Sequence, residues 1–264
     1  MTEISAAMVK ELRDATSAGM MDCKRALQEA GGDFDAAVKL LRERGMAQAA
    51  KRAGRETTEG QVVAETDNRV GVIAAVGSET EPVSKNEEFR AFVRKVVDTV
   101  KRGGDPSTLE DERAQLSGKL GENIQILGAK RMEASDAESI STYVHSPANK
   151  VGAMVKTKGG TPEAARSLAL HLTFARPTYA SRDEVPAELV EAERQILENS
   201  NEVKSKPENV REKIVDGMLN KRFYAESVLS EQQWYRPDEA TGTVAQVLRE
   251  RGIELLDYAW YSVS

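Results

Sequence analysis

The sequence predicts an α+β protein: an N-terminal three-helix module, a linker, and two α+β subdomains with antiparallel sheets, the second bearing a protruding helical hairpin. Three observations carry this expectation. Apolar residues up to Leu41 recur at helical spacing, those between Gln61 and Val76 at strand spacing, and a succession of strands followed by a helix then occurs a second time. The boundaries fall at 1–45 for the helical module, 46–60 for the linker, 61–137 for the first subdomain and 138–264 for the second.

In the module, Ser5 can cap a first helix that buries Met8, Val9 and Leu12. Gly19 breaks the chain, and a second helix presents Cys23, Ala26, Leu27 and Ala30 before Gly31-Gly32 stops it. Asp33 caps a third, with Phe34, Ala37, Val38 and Leu41 on one face and Gly45 after its end. Residues 46–60 have no apolar stripe, so a partly helical linker is expected there. Gln61 to Glu65 and Val70 to Val76 read as a hairpin turning at Asp67-Asn68. A helix carries Phe89, Phe92, Val93, Val96, Val97 and Val100, and another, started by Ser107 or Thr108, runs through Leu116 and Leu120 to Gly121. Three strand-like runs follow, Ile124 to Met132, Ser139 to His145 and Val151 to Lys158.

Thr161-Pro162-Glu163 starts the next helix, since proline at the first helical position loses no hydrogen bond there. Helical runs Ala187 to Asn199 and Pro207 to Phe223 flank the polar stretch Ser200 to Lys206, which predicts an antiparallel hairpin over about 187–224. The chain closes with a helix, Thr243 to Arg251, and a strand, Ile253 to Val263, with Leu256, Tyr258 and Trp260 on one side.

Between the strand ending near Val76 and the helix beginning after Asn86 lies Ser78-Glu79-Thr80-Glu81-Pro82-Val83-Ser84-Lys85-Asn86. Asn86 is placed as the N-cap, with Glu87 and Glu88 behind it and Lys101-Arg102 at the other end, so both ends complement the helix dipole. Pro82 stiffens its own φ and restricts Glu81. The expectation is a preset, projecting loop on a rigid base, a common location for function.

Composition narrows what that function can be. Of 264 residues, 40% are hydrophobic and 30% charged, and the net charge is −6 at pH 7. That acidic balance disfavours nucleic-acid binding, which needs a basic footprint. The linker cluster Lys51, Arg52 and Arg55 could touch RNA, although a solvated linker accounts for it better. No run approaches the roughly 20 apolar residues of a membrane span and no leader pattern opens the chain, so the cytoplasm is the expected location. A single cysteine, Cys23, excludes an internal disulfide and a cysteine-based zinc site. With two histidines, His145 and His171, and no nucleophile, phosphate-loop or metal motif, neither a catalytic group nor a metal or cofactor site is expected.

The segment Thr16-Ser17-Ala18-Gly19-Met20-Met21-Asp22-Cys23-Lys24-Arg25-Ala26-Leu27, preceded by Val9-Lys10-Glu11-Leu12-Arg13, resembles the N-terminal signature of the bacterial and organellar translation elongation factor Ts family. The similarity continues through Gly31-Gly32-Asp33-Phe34, Ala49-Ala50-Lys51-Arg52-Ala53, Thr80 to Lys85, Gly121-Glu122-Asn123-Ile124, Tyr143-Val144-His145 and Val151-Gly152. This resemblance implies a UBA-like helical module and exchange of guanine nucleotide on elongation factor Tu without covalent chemistry. The module would dock on the G domain of Tu through Val9, Leu12, Gly19, Met20 and Met21. The core would reach the G domain and a neighbouring domain, with Ile124 and His145 as contacts. The loop Thr80, Glu81, Pro82 and Val83 would press on the magnesium and phosphate site, with no direct nucleotide binding by this chain.

The loop departs from the family pattern in two places. Glu81 stands where the family has aspartate, and Pro82 stands where it has the intruding phenylalanine. Gly77-Ser78 and Leu127-Gly128 also differ from common family pairs. Two rivals follow: a relative that binds Tu or another GTPase without efficient exchange, and, more remotely, an RNA-binding module acting through Lys51, Arg52 and Arg55.

Overall fold

Helix α1 (Ala6–Thr16) starts where expected, with the Met8 N–H donating to Ser5 Oγ at 3.3 Å. The computed structural model describes residues 4–16, 18–67 and 69–263. Helix α2 (Met20–Glu29) ends at two left-handed glycines, Gly31 and Gly32, and α3 (Phe34–Arg52) is capped by Asp33, whose carboxylate accepts from Ala36 N at 2.9 Å. Val9, Leu12, Cys23, Ala26, Leu27 and Ala37 form the module's interior, with Met8, Phe34, Val38 and Leu41 at its margin.

Gly45 does not end α3. The helix runs seven residues further, taking in much of the expected linker, and only Ala53 to Thr58 connect it to the first strand.

Strands β1 (Glu59–Thr66) and β2 (Val70–Ser78) pair antiparallel from Glu59 opposite Ser78 to Thr66 opposite Gly71. Asn68 of the expected Asp67-Asn68 turn lies outside the described residues. The Asp67 carboxylate accepts from the N–H groups of Arg69 and Val70 at 3.2 and 2.8 Å, and these bonds hold its pKa below the usual carboxylate range.

The next segment is not an extended loop. Glu81–Ser84 form a single helical turn, α4, before α5 (Glu87–Lys101). Asn86 caps α5 as predicted, accepting from Glu88 N at 2.8 Å and Phe89 N at 3.3 Å, and the six apolar residues read from the sequence are its buried face. A 3-10 turn over Pro106–Leu109 is capped by Asp105 rather than by Ser107 or Thr108, because the Asp105 carboxylate accepts the Ser107 N–H at 2.8 Å. Helix α6 (Glu110–Leu120) follows and ends at left-handed Gly121, and β3 (Gln125–Glu133) pairs with the far side of β2.

The second half repeats this plan. Strands β4 (Glu138–Val144) and β5 (Val151–Lys158) form a hairpin, α7 (Pro162–Ala175) follows with Thr161 as its cap, and the last strand pairs beside β5. Before that strand come α8 (Ala187–Asn199), a turn α9 (Asn201–Lys204), α10 (Glu208–Met218), a wide π turn over Leu219–Tyr224, α11 (Ala225–Ser227) and α12 (Val244–Glu250). The polar connection of the helical hairpin is itself helical. Ser200 caps it, and Val203, its lone apolar residue, is buried with Leu197, Val215, Met218 and Leu219 in a core belonging to the hairpin alone.

In β6 (Glu254–Ser262) the register slips between Lys156 opposite Asp257 and Thr157 opposite Leu255. Leu256 therefore bulges outward, 36% exposed, and Leu255 takes its place beside Tyr258 and Trp260. That corrects the alternation read from the sequence.

The two sheets, ordered β1-β2-β3 and β4-β5-β6, pack face to face through Val62, Ile73, Ala75 and Met132 on one side and Ile140, Met154, Ala259 and Val263 on the other. Val72, Ala74 and Val76 point the opposite way, under α5, while Ala153 and Val155 lie under α7. The result is four layers, helix, sheet, sheet, helix. Small residues in β2 permit it: a Cβ on Gly71 would come within 2.5 Å of Ile140 and 2.7 Å of the Met154 sulfur.

His171 is a structural residue. Fully buried on α7, it accepts the Tyr235 N–H at Nδ1 (3.1 Å) and donates from Nε2 to Gln232 Oε1 (3.0 Å). Gln232 in turn donates to the carbonyls of Ala175 and Glu226, so the pair ties residues 226–235 to α7. Burial pushes the imidazole pKa below 6.5, an effect only partly offset by Gln232, and the ring is neutral in the fold. The unfolded chain then binds the extra proton. This contribution to stability is complete above about pH 6.5 and is lost as the pH falls below it toward the folded value. Thermal melts between about pH 7.5 and 5 are expected to show this decline for the native chain and a shallower one for His171→Gln.

Candidate partner-binding site

The turn between β2 and α5 is held from behind by one carboxylate. Glu122, in the short link between α6 and β3, accepts the N–H of Glu79 at 3.1 Å and of Thr80 at 3.0 Å through one oxygen, and the Thr80 hydroxyl through the other. Thr80 thus points its hydroxyl at Glu122 rather than capping α4. The Thr80 carbonyl accepts from Ser84 N at 3.1 Å and from Ser78 Oγ at 3.3 Å. Gln61 on β1 donates to the Ser84 carbonyl at 3.1 Å. Backbone groups that would face water in a free loop are paired on the inner side of the turn.

Its outer side is open. Thr80, Glu81 and Pro82 are exposed, Ser84 is buried, and Val83 packs against the α5 core. Pro82 falls in the first turn of α4, where a missing N–H breaks no helical bond. Glu81 pairs with Lys85 at 2.7 Å, and that bond, with the lysine charge behind it, holds the exposed carboxyl below its ordinary pKa. The tip therefore offers an anion and a small rigid apolar ring on a fixed base.

A second network joins this base to the end of α3. Glu79 accepts the Asn123 N–H at 2.6 Å and pairs with Arg55 at 3.4 Å. Asn123, fully buried, donates from its amide to the carbonyl of Arg55 at 2.7 Å, and Gln125 donates to that of Ala53 at 3.0 Å. Of the linker cations, Lys51 and Arg55 are exposed, Arg55 pairing with Glu79, and Arg52 is half-buried.

The family described as Elongation factor TS matches residues 79–264, which begins at the turn just described. Whole-chain relatives agree. A protein named Elongation factor Ts from Saccharopolyspora erythraea is 40% identical over 281 residues, covering 100% of this chain and 99% of that protein. Its namesake in Pseudomonas savastanoi pv. phaseolicola is 37% identical, with 100% and 92% covered, and that in Deinococcus deserti 39%, with 93% and 95%. The chain belongs to the elongation factor Ts family. It is a translation elongation factor.

The residues carried over from the family fall into two groups. On the module, Met20 and Met21 at the start of α2 are 58% and 63% exposed, and Gly19 before them is exposed as well. Val9 and Leu12 instead face inward, 8% and 0% exposed, packed in the module's interior with Cys23, Ala26, Leu27 and Ala37. Ile124 is likewise fully buried against the α5 core, while its carbonyl accepts from Arg113 at 2.6 Å. His145 is exposed at the end of β4, its ring edge-on to Phe174 at 4.9 Å and its Nδ1 3.3 Å from the Tyr143 hydroxyl. Phe174 stacks in turn on half-exposed Tyr235 at 4.7 Å.

The sequence indicates neither the role of Glu122 nor the Phe174–Tyr235 stack. The partners of Glu122 lie 42 and 43 residues away, and the stack joins α7 to a segment 61 residues on, so no local spacing marks either. Among the described residues no helix is long and apolar enough to cross a membrane.

Proposed function

We propose that the chain is a guanine nucleotide exchange factor acting in the cytoplasm on elongation factor Tu loaded with GDP. The exposed Thr80–Val83 turn, clamped from behind in a chain of this family, supports that reading most directly. Bound GDP is held through its phosphates and a Mg²⁺ that demands near-octahedral geometry, so a small displacement of the surroundings removes much of its affinity. A rigid turn can impose such a displacement; a floppy loop would yield instead. Exposed Met20 and Met21 supply apolar contacts to the G domain, and the His145 region faces a neighbouring domain. Exchange is reciprocal: what the factor costs GDP, GDP costs the factor, so GTP can rebind and release it. No bond is made or broken in this chain, which acts as a binding protein and not as an enzyme.

Stopped-flow release of a fluorescent GDP from Tu tests the proposal. Acceleration by the native chain is the expected outcome, and a residence time unchanged by saturating chain would reject exchange. Pro82 favours a second reading, binding with weak exchange, because its small ring replaces an aromatic one. A buried aromatic contributes about 2 kcal/mol or more to an interface. If most of that falls on the exchange state, Pro82→Phe is expected to speed release about tenfold. An unchanged rate in that variant would remove the ring from the mechanism.

A further inference from the structure

Glu122 occupies no exposed tip and carries out no chemistry, yet three donors converge on it from the turn that the proposed function uses. Two are consecutive main-chain N–H groups, Glu79 and Thr80, and the third is the Thr80 hydroxyl. A carboxylate reading two successive amides fixes the path of the backbone and not merely the position of a side chain. The next residue, Asn123, continues the arrangement: its N–H donates to Glu79 and its amide group holds the Arg55 carbonyl. Glu79 and Glu122 therefore interlock, each accepting a backbone N–H from the other's segment or its neighbour. Arg55 closes the set from the linker side.

We propose that Glu122 is a positioning residue for exchange: it holds the Thr80–Val83 turn stiff, so that force exerted by docking is transmitted to the partner's nucleotide site rather than absorbed by the turn. Two features set this apart from ordinary loop stabilisation. First, the exposed residues of the turn have few ties of their own. Glu81 bonds only to its near neighbours Ser84 and Lys85, and Pro82 has no donor, so rigidity at the tip comes from the groups behind it, Thr80, Ser84 and the packed Val83. Second, one side chain takes two successive main-chain N–H groups and a hydroxyl together, so it fixes the path of the backbone at the strand end without an enclosing core. The inference rests on the exchange reading and deepens it.

The prediction separates rate from affinity. Glu122→Ala removes all three bonds but leaves Met20, Met21 and His145 untouched. Titrating the full-length variant against Tu carrying fluorescent GDP is expected to show a maximal release rate about tenfold lower, equivalent to about 1.4 kcal/mol in the barrier, with the half-saturating concentration within about twofold of native. Glu122→Gln keeps an oxygen for the two N–H groups, and the Thr80 hydroxyl can accept from its amide. It is expected to restore most of the rate. Amide hydrogen exchange at Glu79 and Thr80 should be faster in the alanine variant and close to native in the glutamine variant.

Should the alanine variant fail to fold, Thr80→Val, which removes one bond without changing the backbone, carries the test with an expected loss of about threefold. Positioning is overturned if the maximal rate is native in folded Glu122→Ala, or, where that variant does not fold, native in Thr80→Val. It is equally overturned if the alanine and glutamine variants are impaired alike, which would make charge the active property. If the native chain itself does not accelerate release, the exchange reading fails first. Loss of amide protection at Glu79 and Thr80 would still separate the structural part of the claim from it.

Discussion

Phe89→Ala is expected to cost about 3–5 kcal/mol of unfolding free energy, the range for deleting a buried aromatic side chain. Phe89 is fully buried in the first turn of α5, among Val72, Ala74 and Val76 of β2 and the α5 residues Phe92 and Val93. The β2 residues beneath it are small or β-branched, and the central strand is fixed between two partners, so little of the sheet can close over the space left. Urea unfolding with an unchanged slope and a lowered midpoint is the expected result. A loss under about 1 kcal/mol would mean that this layer is loosely packed. The consequence reaches the candidate site, because the Phe89 N–H is one of two that Asn86 caps, directly after α4. A variant that stays folded should therefore also protect the amides of Glu88 and Phe89 less well against exchange.

Why α5 was legible and its surroundings less so has a physical basis. Its stripe, N-cap and terminal charges all lie within seventeen residues and agree with one another, so local chemistry suffices. The caps at Ser5, Asp33 and Thr161 were read for the same reason. Thr80-Glu81-Pro82 carries the same kind of signal as Thr161-Pro162, a threonine and then a proline within the first helical turn. Its single turn is too short to show a period. Glu122 was beyond local reading altogether. The segment Gly121-Glu122-Asn123-Ile124 stands out by family resemblance, but nothing within it indicates that two residues more than forty positions earlier close on the carboxylate. The bulge at Leu256 belongs to the same class, since a slip in register is a property of the strand pair and not of either strand.

Gly45 marks the sharpest divergence, and it leads to the second large effect. A glycine after an apolar stripe reads as a stop, whereas here it lies within α3 where that helix crosses α6 at Gly118. A Cβ on Gly118 would stand 2.7 Å from Gly45 Cα and 2.9 Å from its carbonyl oxygen, both backbone atoms that cannot rotate aside. Two opposing terms apply to Gly118→Ala. Helix propensity favours alanine by about 1 kcal/mol, whereas overpacking costs about 1–3 kcal/mol, and the clash with main chain places the crossing toward the upper end. The net sign should be destabilising.

Gly118→Leu adds a bulky side chain to the same clash and is expected to part the two helices. The remaining ties between them are weak, since the Arg42–Asp111 pair is exposed and 3.5 Å long and such pairs contribute at most about 1 kcal/mol. Undocking leaves the module attached by residues 53–58, which hydrogen bonds to Ala53, Arg55 and Thr57 hold on the core, and proteolysis there should accelerate while the sheets stay intact. On the exchange reading the half-saturating concentration should rise about 5- to 150-fold, the equivalent of 1–3 kcal/mol, with the maximal rate nearly kept. That pattern is the reverse of the one expected from Glu122→Ala. If Gly118→Leu instead leaves cleavage at 53–58 and the half-saturating concentration at native values, the glycine crossing does not hold the module to the core.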